Sequence, residues 1–89
     1  MAHPNHSDEI KRLNRIAGQV EGIKKMIEDK RYCPDILTQL RAVQSATKSI
    51  ESNILSRHLK ACVNDALKKE SQSSEDKIDE LISLFKRFD

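Results

Sequence analysis

From Ile36 to Leu67 the apolar residues fall three or four apart, through Leu37, Leu40, Val43, Ala46, Ile50, Ile54, Leu55, Leu59, Cys62 and Val63, with neither glycine nor proline among them. That spacing lays one apolar stripe along a helix, and nothing in the run would break it. The predicted helix covers about residues 34–69 and, at about 1.5 Å per residue, spans on the order of 50 Å. A chain of 89 residues cannot cover so long an element alone, because a domain of this size buries only a modest share of its surface. The expected fold class is therefore all-α, and the long helix calls for a second chain. Composition agrees: 37% of residues are hydrophobic, 3% aromatic with no tryptophan, and 34% charged, the mixture of helices that pack through Leu, Ile, Val and Ala.

Shorter helices flank this one. Ile10, Leu13, Ile16, Ala17, Val20, Ile23 and Ile27 define helix one, about residues 7–29. Ser7 is placed to cap it, and Asp8 and Glu9 complement the positive end of its dipole. Gly18 and Gly22 weaken the helix; a close helix contact along their stripe would offset that, or the helix simply tolerates them. Lys30, Arg31, Tyr32 and Cys33 interrupt the pattern, and Pro34 suits the first turn of the next helix, so Cys33 stands at a helix mouth. Glu70, Ser71, Gln72, Ser73 and Ser74 read as a polar linker. Beyond it Ile78, Leu81, Ile82, Phe85 and Phe88 give helix three, about residues 75–88, with Ser73 and Asp76 at the spacing of a capping box. Residues 1–89 are expected as one domain, with 1–6 as a flexible start.

Lysine and arginine number 16 against 14 acidic residues, a net charge of +2, so any basic footprint depends on placement rather than on bulk charge. Lys11, Arg12 and Arg15 cluster on helix one, and Lys24, Lys25, Lys30 and Arg31 extend the series. Repeated in an oligomer, such a surface suits phosphates; an ordinary solvated helix face accounts for the same residues. The sequence holds no apolar run of about 18 residues of the kind that spans a membrane. The polar start from Met1 to His6 lacks a signal-peptide core, and a cytoplasmic location is expected. No nucleophile, base and orienting group assemble, so neither an enzyme nor a small-molecule substrate is expected.

In a reducing compartment the two cysteines are ligands or redox-active thiols rather than a structural disulfide. His58 and Cys62 are four apart on the long helix and can reach one ion, although a cysteine on an apolar stripe also serves as filler and a surface histidine is often only solvated. Cys33 precedes His58 by 25 positions, roughly 37 Å along a continuous helix. One chain cannot close that gap. Two antiparallel copies of the helix, crossing near Thr47 where Ala42, Ser45, Ala46 and Ser49 keep the contact thin, would set Cys33 of one chain beside His58 and Cys62 of the other, twice over in a two-fold dimer. Two thiolates and one imidazole form a soft set that favours Cu(I) over Mg(II), Ca(II) or Mn(II), while structural zinc would want a fourth ligand.

The run Arg12-Leu13-Asn14-Arg15-Ile16-Ala17-Gly18-Gln19-Val20-Glu21-Gly22-Ile23, then Tyr32-Cys33, Gln44-Ser45 and His58-Leu59-Lys60-Ala61-Cys62, resembles the copper-sensing operon repressors over roughly Lys11 to Phe85. The resemblance implies a three-helix protomer, an antiparallel dimer and a dimer-of-dimers tetramer without a helix-turn-helix. It implies Cys33, His58 and Cys62 as ligands drawn from two subunits, with Tyr32 and Glu80 hydrogen-bonding the histidine ring, and a carboxylate there would orient the imidazole. Nickel or cobalt members of the family recruit a histidine near the N-terminus and carry histidine where Cys62 stands, so His3 and His6 are possible extra ligands and Ni(II) or Co(II) the alternative metal. Persulfide sensors of the family lack the histidine that His58 supplies. A family arginine on helix two is replaced by Ser49, leaving Lys48 beside it as a candidate DNA contact.

The function expected from these residues and this resemblance is a metal-responsive repressor that binds operator DNA when metal-free and is released by Cu(I), freeing copper-efflux or resistance genes. A nickel- or cobalt-responsive repressor is the alternative within the family. A cytosolic Cu(I) carrier would use the cysteines and leave the basic face idle; a purely structural helical module would use neither.

Overall fold

The computed structural model of the chain describes residues 4–68 and 73–88. They form three helices, α1 (Asp8–Glu28), α2 (Cys33–Lys68) and α3 (Ser73–Arg87), with no strand among the described residues. None of these helices is long and apolar enough to cross a membrane.

The start of α1 differs from expectation. Ser7 itself has helical backbone angles and makes no side-chain cap hydrogen bond. Its amide donates instead to Asn5 Oδ1 at 2.9 Å, and the carbonyls of His6 and Ser7 accept the amides of Glu9 and Ile10. The amides that a serine cap would have received are thus taken by the backbone carbonyls of His6 and Ser7, while the Asn5 side chain holds the Ser7 amide in an asparagine turn. At the other end the Arg31 amide reaches back to the Met26 carbonyl at 3.0 Å and the Lys30 amide to Ile27 at 3.1 Å, the paired bonds of a Schellman stop. Lys30 sits at the left-handed position of that stop, with φ of 55°.

Helix α2 begins one residue beyond Tyr32, whose carbonyl accepts the amides of Asp35 and Ile36. Pro34 is its second residue, where a missing N–H costs nothing. Within the helix the hydroxyls of Thr38 and Thr47 donate to the carbonyls of Pro34 and Val43, each at 2.8 Å. α2 then continues unbroken for 36 residues, as the lack of glycine and proline beyond its first turn permits. Helix α3 already includes Ser73 and Ser74, so these two belong to the helix and not to a linker; serine is at home in a first turn, where amides have no intrahelical acceptor. Glu70, Ser71 and Gln72 lie outside the described residues.

The chain divides into two compact units, Asn5–Ile54 and Met1–Pro4 with Leu55–Asp89, and α2 contributes to both. In the first, Ile23, Ile50 and Glu9 are buried; in the second, Cys62. Much of the predicted α2 stripe stays in solvent, with Leu37 63% and Leu67 78% exposed. On α1 a Cβ placed at Gly18 or Gly22 would meet nothing within 4 Å, so no described part of this chain packs closely against that stripe.

Candidate metal centre

α2 presents His58 and Cys62 one turn apart, and the Cys62 Sγ lies 3.4 Å from the His58 Nε2. His58 is half-buried and Cys62 is buried, 1% exposed. Thiol and ring nitrogen are close enough for one ion with bonds of about 2.0–2.3 Å to touch both. The donor chemistry, soft sulfur with imidazole, fits a thiophilic metal. Burial adds to the fit, since little reorganisation remains for a cysteine already directed at its neighbour.

Cys33 is the first residue of the same helix, with an exposed, free thiol. Among the described residues, no three His, Cys, Asp or Glu side chains of the single chain form a group able to hold a metal. One chain therefore brings together two of the three expected ligands. Tyr32 immediately precedes α2 and is 72% exposed, and Glu80 stands exposed on α3. His6 lies in the turn before α1, half-buried, and its Nδ1 is buried without a hydrogen-bond partner. His3 lies outside the described residues.

The basic candidates are all surface residues: Lys11, Arg12 and Arg15 on α1 and Lys48 on α2 are exposed. Arg12 differs from the rest, because its Nη1 donates to Glu9 Oε1 at 2.7 Å. Glu9, expected only to complement the helix dipole, is almost fully buried and also accepts from Asn53 Nδ2 of α2 at 3.0 Å. The signal that could have exposed this was a polar Asn53 three residues beyond Ile50, inside the spacing of the apolar stripe.

The sequence pattern of the metal-sensitive transcriptional repressors matches residues 5–87. The chain is 49% identical over 77 residues to the copper-sensing transcriptional repressor CsoR of Bacillus subtilis (strain 168), covering 86% of this chain and 74% of that protein. It is 43% identical over 77 residues to the copper-sensing transcriptional repressor RicR of Mycobacterium tuberculosis (strain ATCC 25618 / H37Rv), covering 86% and 80%. Among solved structures, CsoR with Cu(I) from Geobacillus thermodenitrificans NG80-2 superposes with a TM-score of 0.80 at 40% identity, over 99% of this chain and 93% of that one. The nickel-responsive transcriptional regulator InrS superposes with a TM-score of 0.84 at 30% identity, over 99% and 97%. With its three helices, its His58 and Cys62 pair and this agreement along nearly its whole length, the chain belongs to the metal-sensitive transcriptional repressor family.

Proposed function

We propose that this repressor responds to Cu(I): metal-free it holds operator DNA, and on binding copper it lets go, so that genes for copper efflux or resistance are transcribed. The observation that carries this reading is the 3.4 Å approach of Cys62 Sγ to His58 Nε2 on α2. Cys33, at the opposite end of the same helix, completes a soft three-ligand set when two α2 helices run antiparallel, so that Cys33 of one chain joins His58 and Cys62 of the partner subunit. Tyr32 and Glu80 orient the imidazole through hydrogen bonds. The protein works in the cytoplasm, where DNA and reduced thiols coexist.

Self-association follows from the surface of the single chain. Ile10, Leu13 and Val20 on α1, and Leu37, Leu40, Ile54 and Val63 on α2, are all substantially exposed, apolar side chains that association with a second copy would take out of water. A homodimer covers it and a homotetramer multiplies the basic faces of α1, where Lys11, Arg12 and Arg15, with Lys48 of α2, meet phosphates. Copper and DNA then act on one equilibrium: if the metal favours the arrangement that fits DNA less well, DNA weakens copper by the same factor.

A nickel response is the second reading, favoured by the likeness to InrS and by the buried, unpartnered Nδ1 of His6. The test uses a DNA duplex selected from a randomised pool by the metal-free protein, titrated with Cu(I) or Ni(II) without oxygen. Cu(I) should displace the duplex stoichiometrically, and Cys62→Ser should bind it like the parent yet keep it when copper is added. Release by Ni(II) at lower free metal than Cu(I) would transfer the function to the nickel branch, and tight Cu(I) binding with no selected duplex at all would make the protein a carrier.

A further inference from the structure

Two ion pairs on α1 have the same spacing and opposite surroundings. Lys24 Nζ and Glu21 Oε1, 3.1 Å apart, are 64% and 71% exposed, a solvated pair of the kind that contributes little. Arg12 Nη1 and Glu9 Oε1 are 2.7 Å apart, with the arginine side chain 53% exposed and the glutamate side chain 2% exposed. A carboxylate taken out of water needs charge-assisted hydrogen bonds to remain ionised, and Glu9 receives one from Arg12 and another from Asn53, 44 residues away on α2. The guanidinium has five N–H donors in a rigid plane; the bond at Nη1 restricts its motion while the side chain stays 53% exposed.

We propose that Glu9 is a positioning residue for DNA binding: pinned by Asn53 of α2, it orients the Arg12 guanidinium so that its free N–H groups meet a phosphate. The inference rests on the reading of Arg12 as a DNA contact. It adds a partner on another helix, and Asn53 precedes His58 by five positions on α2. A planar donor fork held in place loses less conformational freedom on meeting a phosphate than a loose one.

The sign of the effect separates positioning from bulk electrostatics. Glu9→Gln removes a negative charge from a DNA-binding face, which by field alone would tighten binding. Positioning demands the reverse. With the selected duplex, Glu9→Gln should weaken binding about tenfold, the scale of one lost charge-assisted contact, whereas Glu21→Gln, which dissolves the solvated pair, should not weaken it. In an Arg12→Ala background Glu9→Gln should change affinity less than about twofold, because the residue it serves is gone. Arg12→Ala alone should lower the salt slope by about one unit.

Equal weakening by Glu9→Gln with and without Arg12 would make Glu9 a merely structural residue, and unchanged or tighter binding with Arg12 present would overturn the inference outright. Normal affinity and salt slope in Arg12→Ala would remove Arg12 from the DNA surface and the inference with it; a normal Arg12 effect beside a silent Glu9 removes only the inference. Should Glu9→Gln lose its helical circular dichroism, Asn53→Ala, which leaves the ion pair but frees the carboxylate from α2, is judged by the same two backgrounds.

Discussion

Lys30 occupies the one left-handed backbone position of a non-glycine residue among the described residues, φ 55°. Its Cβ crowds the following carbonyl there, at a penalty on the order of 1–2 kcal/mol, tolerated because the amides of Lys30 and Arg31 close the end of α1. Lys30→Gly should therefore raise stability, by up to about 1 kcal/mol after the extra freedom of glycine in the unfolded chain is deducted. A thermal midpoint that stays level or falls in this variant would mean that the Lys30 side chain contributes contacts outweighing the strain. At the residue scale, what the sequence discloses is what is local. His58 and Cys62 could be paired from their numbers, because four residues make one helical turn. The burial of Glu9 could not, since the asparagine that receives it is 44 residues distant and only tertiary packing brings the two together. The cap at Ser7 was not legible for a related reason: Ser7 itself takes helical angles, so the backbone carbonyls of His6 and Ser7 accept the Glu9 and Ile10 amides that its hydroxyl would have received.

At the scale of elements, α2 was legible because a long periodic stripe without glycine or proline beyond its opening turn has one good solution. The start of α3 was not, because serines serve equally as linker and as first turn. The element proposed to bear on DNA is α1, whose Arg15 is exposed three residues on from Arg12 and so on the same face. Arg15→Ala should weaken binding of the selected duplex and lower the salt slope by about one unit, as expected for one lost phosphate contact, while Cu(I) affinity stays as in the parent. The measurement is affinity across a series of salt concentrations. An unchanged slope at unchanged affinity would place the DNA surface elsewhere than this face of α1.

At the scale of the whole molecule the metal reading stands on a division of ligands between chains, and that division has an arithmetic consequence. With the proposed shared site, Cys33→Ser and Cys62→Ser should each destroy both sites of a homodimer, since every site would use one Cys33 and one Cys62. Unfolded together and refolded as a mixture, the two variants should assort so that about half of the dimers are mixed, each holding one intact site and one site that lacks both cysteines. High-affinity Cu(I) should then return to about a quarter of the parental stoichiometry, with the parental affinity, because an intact site is chemically complete. Neither variant alone should show any of it. A site contained within one chain behaves otherwise: no pairing of damaged chains can rebuild it, and the mixture binds no more tightly than its parts. Recovery of copper without its release from DNA would separate the metal site from its signal; no recovery in a mixture shown by mass to contain mixed dimers would refute the shared site.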